Sequence, residues 1–219
     1  MAVRAPGHSE PPHTRSSPGC GMEQFHHPRP VYTGRGCESR PTPQREQLLS
    51  GLTGRVLEIG AGDGIKLTCF PEGLDEIILV EPDPFLRTVA ELPASEISTP
   101  VRILDGDLMR LPVEDASCDA VICSLVLCCV PRPETTLSEV KRVLRPGGEL
   151  RFYEHQRSDN AVVALVEAMA TPLWARACGG CHPARDTVAA IERAGFGIER
   201  LDHLSFDHVS HVLGVARPL

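Results

Sequence analysis

Val56-Leu57-Glu58-Ile59-Gly60-Ala61-Gly62-Asp63-Gly64 is an apolar run that leads straight into three alternating glycines. Glycine is needed where a chain turns sharply and its backbone must touch a ligand, because a Cβ would block the approach. Glu81 follows Gly60 by twenty-one residues and closes a second apolar run. From that position a carboxylate can take both hydroxyls of a ribose. The loop and Glu81 together read as an adenosine site, whereas the glycines by themselves would mark only a tight strand-to-helix turn.

Two adenosine cofactors compete for such a loop, and spacing separates them. The dinucleotide fingerprint G-x-G-x-x-G/A needs its third small residue at position 65, where Ile65 stands, and the third glycine comes one residue early at Gly64. An acidic residue, Glu58, precedes the first glycine by two. A pyrophosphate would be repelled there, whereas the cationic amino group of a methionine moiety would be attracted. This arrangement favours S-adenosylmethionine (AdoMet) over a nicotinamide dinucleotide, and leaves a nicotinamide oxidoreductase as the weaker reading.

These residues need a scaffold that puts strand ends and loops side by side. Strand-like runs occur at 55–59, 76–81, 101–105, 120–124, 149–154, 198–204 and 209–216. Helical stripes lie between them: Phe85, Leu86, Val89 and Leu92; Leu137, Val140, Val143 and Leu144; Val162, Val163, Leu165, Val166 and Met169; and Val188, Ala189, Ile191 and Ala194. A further short helix is expected at 44–52, Gly147-Gly148 is expected to stop the second of the four stripes, and Gly195 the fourth. Alternation of this kind predicts an α/β fold, a doubly wound and mostly parallel sheet covered by helices on both faces. The last two strands are separated by only Ser205 to His208, too short for a crossover, so they are expected to pair as an antiparallel C-terminal hairpin.

The chain has 219 residues, 42% of them hydrophobic, enough for one domain with a surplus. The surplus is residues 1–43, which hold eight of the twenty prolines and four of the nine histidines and are expected to be disordered. An internal start at Met22 would remove the least foldable part. The folded unit is expected over 44–219. Lys+Arg 22 against Asp+Glu 29 gives a net charge of −7, which lacks the basic excess that nucleic-acid binding needs. No apolar run approaches the roughly 20 residues required to span a bilayer, which points to the cytoplasm.

The segments that carry the cofactor reading resemble the class I AdoMet-dependent methyltransferases from about residue 48 to the C-terminus. Glu58-Ile59-Gly60-Ala61-Gly62-Asp63-Gly64 is similar to that family's first motif, Glu81-Pro82-Asp83 to its ribose-binding strand end, and Asp105-Gly106-Asp107-Leu108 to the segment that meets adenine. The resemblance implies cofactor contacts from Glu58, Gly60, Ala61, Gly62, Gly64, Glu81, Pro82, Asp107 and Leu108, and a seven-stranded sheet. Cys118-Asp119-Ala120-Val121-Ile122 and Leu144-Arg145-Pro146-Gly147-Gly148 are similar to the family's fold markers. Cys123 to Val130, Phe152-Tyr153-Glu154-His155 and Gly179-Gly180-Cys181-His182 narrow the resemblance to the alkyl thiol methyltransferase branch. That branch implies a small-molecule methyl acceptor, with a thiol as the leading candidate. Methylation of oxygen, nitrogen or carbon in another small molecule, or a non-catalytic AdoMet-binding module, are the alternatives.

Methyl transfer from a sulfonium is an in-line displacement, so positioning in a water-excluding site can supply most of the catalysis. A thiol acceptor of pKa roughly 8.5 is only a few per cent ionised at neutral pH and would gain from a base. His155, at the carboxyl end of the fifth strand, is the candidate, with Glu154 pointing the other way; Ser124 and Leu125 end the fourth strand at the same mouth. Nine cysteines in a reducing compartment read mainly as packing. Cys178-Gly179-Gly180-Cys181-His182 offers at most three ligands, has no export signal for haem attachment, and is read as a loop of the acceptor lid with no metal expected.

Overall fold

In the computed structural model the described residues are 43–206 and 209–219. Met22, Tyr32 and the histidines at 8, 13, 26 and 27 lie outside them. The elements run α1 (Pro43–Leu49), β1 (Arg55–Ile59), β2 (Glu76–Val80), α2 (Pro84–Glu96), β3 (Val101–Leu104), β4 (Cys118–Ser124), α3 (Pro133–Val143), β5 (Leu144–His155), α4 (Ala161–Ala177), α5 (Thr187–Arg193), β6 (Phe196–Phe206) and β7 (Val209–Pro218), with a 3-10 helix at Ile65–Cys69 after β1. The seven strands form one sheet in the order β3-β2-β1-β4-β5-β7-β6. All pairs from β3 to β5 are parallel, and β7 is antiparallel to both neighbours. The expected doubly wound sheet and its C-terminal hairpin are therefore both present.

Successive strand residues point to opposite faces, and each face has its own core. Leu57, Ile59, Ile78, Val80, Val121, Cys123 and Phe152 pack with Leu137, Val140 and Val143 of α3 and with Ala190 and Ile191 of α5. Val56, Ile77, Leu79, Ala120, Ile122 and Leu213 pack on the other side with Leu48 and Leu49 of α1 and Ala90 of α2. A central strand buried on both faces cannot show the polar/apolar alternation of a half-exposed one, which is why these strands read as continuous apolar runs.

The second helix ends at Val143, before the expected Pro146-Gly147-Gly148 stop, and β5 starts at Leu144. No helix covers the crossover from β3 to β4. The segment is instead tied to α3: Arg142 donates to the carbonyls of Leu111 and Val113 and to Asp115, and Glu139 accepts the Leu111 N–H at 2.9 Å. The third apolar stripe does not face a core. In α4 only Ala164 is buried, and Val162, Leu165, Val166, Met169 and Leu173 are each more than 60% exposed. That helix is held at its start by Asn160, which accepts the N–H groups of Val162 and Val163, and by Glu167, which accepts the Ser158 N–H. Among the described residues no helix is long and apolar enough to cross a membrane.

The antiparallel insertion of β7 depends on a small residue opposite a large one. Gly214 pairs with Phe152, and a Cβ on Gly214 would lie 2.5 Å from the Phe152 ring and 2.6 Å from the Arg200 carbonyl oxygen. We expect Gly214→Ala to cost about 1–3 kcal/mol, the usual range for overpacking. Urea unfolding measures it; an unchanged midpoint would show that the β5–β7 contact can relax freely.

Candidate active site

The sheet reverses its winding between β1 and β4, and open α/β sheets bind ligands beyond the carboxyl ends of their strands at such a point. A cleft of about 330 Å³ lies there. It is built from the loop after β1 (Gly60, Ala61, Gly62, Ile65, Lys66), the end of β2 (Glu81, Pro82), Leu108 after β3, and Ser124, Leu125, Val126, Cys129 and Val130 after β4. The size is at the lower end of small-ligand sites.

Gly60, Gly62 and Gly64 all adopt left-handed φ, +61°, +65° and +73°, which only glycine takes without strain. Gly60 must also lack a side chain because a Cβ would lie 2.6 Å from Val126 Cγ2. A Cβ on Gly62 would meet no protein atom within 4 Å, so the backbone there is open towards the cleft. Gly64 plays a packing part, since a Cβ on it would lie 3.0 Å from the Ala90 Cβ of α2. The Gly62 N–H donates to Glu81 Oε2 at 2.8 Å, and the Asp83 N–H donates to Oε1 at 2.9 Å. Glu81 thus ties the glycine loop to the end of β2, and a carboxylate with about four acceptor positions retains capacity for ligand hydroxyls.

Glu58 is fully buried beneath the loop, outside the cleft lining. Lys66 Nζ lies 2.8 Å from Glu58 Oε1, so an ammonium belonging to the chain stands against the carboxylate to which the spacing argument brought a ligand's amino group. Burial pushes the Glu58 carboxyl above its usual range while Lys66 pulls it down. Asp107 also sits off the lining: its Oδ1 accepts the Met109 N–H at 2.8 Å and shapes the turn that presents Leu108. Gly60, Ala61, Gly62, Glu81, Pro82, Leu108, Ser124 and Leu125 are brought together around the cleft. A glycine cradle open at Gly62, a carboxylate at the end of β2 and the apolar wall of Leu86 and Leu108 fit an adenosyl group with its methionine portion in the loop.

Two residues that periodicity could not reveal organise the acceptor side. Glu154 is completely buried, and its oxygens accept three successive N–H groups, from Val126 at 2.8 Å, Leu127 at 2.9 Å and Cys128 at 3.1 Å. Burial raises its pKa and those three donors oppose the rise. Arg185 donates to the carbonyls of Leu127 at 2.5 Å and Val130 at 2.7 Å, closing the same turn from the lid side. Leu125, which lines the cleft, is left-handed at φ +58°. The signal for Glu154 was its charge inside an apolar strand, and the pattern of that strand did place it opposite His155.

His155 does not line the cleft. Its Nδ1 lies 3.3 Å from both Cys128 Sγ and Cys181 Sγ, and its ring leans on His211 with centroids 4.5 Å apart. Cys129, 3.6 Å from Cys128 through sulfur, separates this cluster from the cleft. Contacts from Cys128 and Cys129, with His155 beside it, hold the Cys181 thiol far below its ordinary range; Cys128 is raised by its thiol neighbours and burial. In the Cys178–His182 loop Cys181 joins the cluster and Cys178 packs against it, while His182 Nδ1 turns to the Gly180 carbonyl at 2.6 Å. Trp174 is exposed beside that loop.

Residues 57–152 match the family model described as Methyltransferase domain. The chain is 35% identical over 153 residues to thiol S-methyltransferase TMT1B of Rattus norvegicus, covering 67% of this chain and 62% of that protein. It is 33% identical over 183 residues to thiol S-methyltransferase TMT1A of Homo sapiens, covering 78% and 74%. Among solved structures, an S-adenosylmethionine-dependent methyltransferase from Mesorhizobium loti superposes with a TM-score of 0.61 at 18% identity, covering 80% of this chain and 96% of the other. The [4+2]-cyclase SpnF superposes at 0.66 and 19%, covering 80% and 79%.

Replacing Glu81 removes the acceptor of the Gly62 N–H and the carboxylate expected to hold the ribose. We expect Glu81→Ala to weaken AdoMet binding by about 1–3 kcal/mol, on the scale of charge-assisted hydrogen bonds. Calorimetric titration measures this, and an unchanged affinity would mean that the ribose lies elsewhere. We also expect Glu154→Ala to destabilise the fold by at least about 3 kcal/mol, because three buried N–H groups lose their acceptor. Chemical denaturation checks it.

Proposed function

Because this chain belongs to the AdoMet-dependent methyltransferase family that includes the thiol S-methyltransferases, we propose that it transfers a methyl group from AdoMet to a small thiol. The observation that carries the reading is the glycine cradle tied by Glu81 at the switch point, opening on one side to the apolar wall of Leu125, Val126, Cys129 and Val130. The family relatives named as thiol S-methyltransferases support the choice of acceptor, although the chain spans only 62% of the length of one of them. The unit responsible is residues 44–219, and the proposed compartment is the cytoplasm.

AdoMet, when bound, supplies an electrophilic methyl group on a sulfonium. The residues of this chain do the rest. Gly60, Ala61 and Gly62 let the backbone approach the donor, Glu81 orients its ribose, and Leu86 and Leu108 exclude water from one wall. Ser124 to Val130, held in shape by Glu154 and Arg185, form the surface against which an acceptor sulfur is positioned in line with the methyl group. An uncharged, polarisable thiol suits that apolar wall better than a strongly hydrated alcohol or amine. The acceptor's thiol proton passes to solvent, so the displacement needs no base from the chain itself, and the enzyme's gain comes from orientation. His155 acts, in this reading, from behind Cys128 and Cys181 and not as a residue touching the acceptor.

An acceptor screen following S-adenosylhomocysteine release tests the proposal. Alkyl and aryl thiols are expected to be turned over, with alcohols and amines of matched size at least about tenfold slower, the effect of roughly 1.4 kcal/mol in transition-state binding. Turnover of amines or alcohols without thiols would replace the acceptor class. Binding of AdoMet without turnover of any acceptor would instead favour a non-catalytic module, and tight NAD binding without AdoMet binding would overturn the cofactor.

A further inference from the structure

Three segments far apart in sequence bring soft donor atoms to one buried place. Cys128 and Cys129 come from the turn after β4, His155 from the end of β5, and Cys181 from the loop between α4 and α5. All three thiols are buried, and their sulfurs lie within 4.8 Å of one another. Cys128 Sγ is 3.6 Å from Cys129 Sγ and 3.9 Å from Cys181 Sγ, and His155 Nδ1 is 3.3 Å from Cys128 Sγ and from Cys181 Sγ. Neither the methyl transfer argued above nor hydrophobic packing calls for an imidazole nitrogen between two thiols.

Those separations can be set against a coordination polyhedron. Tetrahedral zinc with Zn–S about 2.3 Å and Zn–N about 2.0–2.1 Å has S···S edges of about 3.8 Å and S···N edges of about 3.5 Å. The triangle Cys128–Cys181–His155, with edges of 3.9, 3.3 and 3.3 Å, is one face of such a tetrahedron to within a few tenths of an ångström. Cys129 Sγ, 3.6 Å from Cys128 Sγ and within 4.8 Å of Cys181 Sγ, is the remaining donor at hand. We infer that Cys128, Cys129, Cys181 and His155 form a binding site for a thiophilic divalent cation of the zinc class, adjoining the AdoMet cleft at Cys129. Sulfur and imidazole donors select this class over calcium or magnesium, which take oxygen.

The surrounding contacts keep the donors in place before a metal arrives. The Cys128 N–H is held by Glu154, the Cys128 carbonyl accepts the His182 N–H at 2.8 Å, and the His155 carbonyl accepts the Thr187 hydroxyl at 2.9 Å. The His155 ring rests on His211, which limits its rotation. A cation here would clamp the lid loop to the wall of the cleft at Cys129. The Cys178-x-x-Cys181-His182 spacing, which offered a poor set by itself, thus contributes one ligand to a site made by tertiary contacts.

The test uses the full chain, reduced, stripped with chelator and titrated with zinc and cobalt(II). One equivalent of zinc is expected to be retained against a chromophoric competitor, and cobalt(II) is expected to give sulfur-to-metal charge-transfer absorption with tetrahedral ligand-field bands. Cys181→Ser and His155→Gln should each lower zinc affinity by about tenfold or more. Cys69→Ser, remote from the cluster, should leave it unchanged. Cys181 lies in a loop, so its variant is expected to stay folded, which circular dichroism checks, and the partly exposed His155→Gln keeps the comparison valid even if Cys128→Ser does not fold. Failure of the wild-type chain to bind zinc, or affinity that survives in both Cys181→Ser and His155→Gln, overturns the site. So does loss of two thiols to a Cys128–Cys181 disulfide in the metal-free protein with no metal uptake after reduction.

Discussion

A carboxylate that cannot reach water has to be met by donors, and Glu154 is met by three backbone N–H groups in a row. Such a cluster is possible only where the chain begins a helical turn, with its first N–H groups pointing the same way. The turn is there: the N–H groups of Cys129 and Val130 both return to the Val126 carbonyl. This one interaction fixes the end of β4 to the end of β5. It determines where Leu125 and Val126 stand in the cleft and where Cys128 stands outside it. It also explains why Leu125 can hold a left-handed backbone, a conformation that a branched side chain keeps only when its neighbours leave no alternative.

On the nucleotide side a different balance operates. Glu81 uses one oxygen to hold the glycine loop and the other to start α2, whose Asp83 caps the N–H groups of Phe85 and Leu86. Glu58 lies one layer deeper and is compensated by Lys66. The negative charge that suits a sulfonium ligand therefore resides mainly at Glu81, while Glu58 positions Lys66 at the wall. A ligand ammonium entering the loop meets a cleft already lined by two cations, Arg45 and Lys66, so its placement depends on how Lys66 shares Glu58.

The fold is common property of structures that do different chemistry, as the superposition with a [4+2]-cyclase illustrates. What differs among such proteins must lie in the elements that complete the cleft. Here those are the turn from Leu125 to Val130, the Arg185 clamp across it, and the cysteine and histidine cluster behind it. Each draws on residues from separate segments, and the exposed apolar face of α4 leads directly into the loop that carries Cys181.

The amino-acid sequence determined the parts of this protein that are local. Strand runs buried on both faces, the spacing of Gly60, Gly62 and Gly64, the acidic residue at the end of β2 and a connection too short for a crossover are all consequences of backbone geometry within a few residues. They sufficed for the fold, the hairpin and most of the cofactor cleft. The helical stripe of α4 misled because periodicity reports a face and not what covers it. The long-range pairings were legible nowhere: Glu154 beneath three N–H groups, His155 between Cys128 and Cys181. Side chains meet across 26 to 28 residues only after β4 and β5 have paired and the lid loop has folded back, and a buried charge or thiol takes its chemical character from those neighbours.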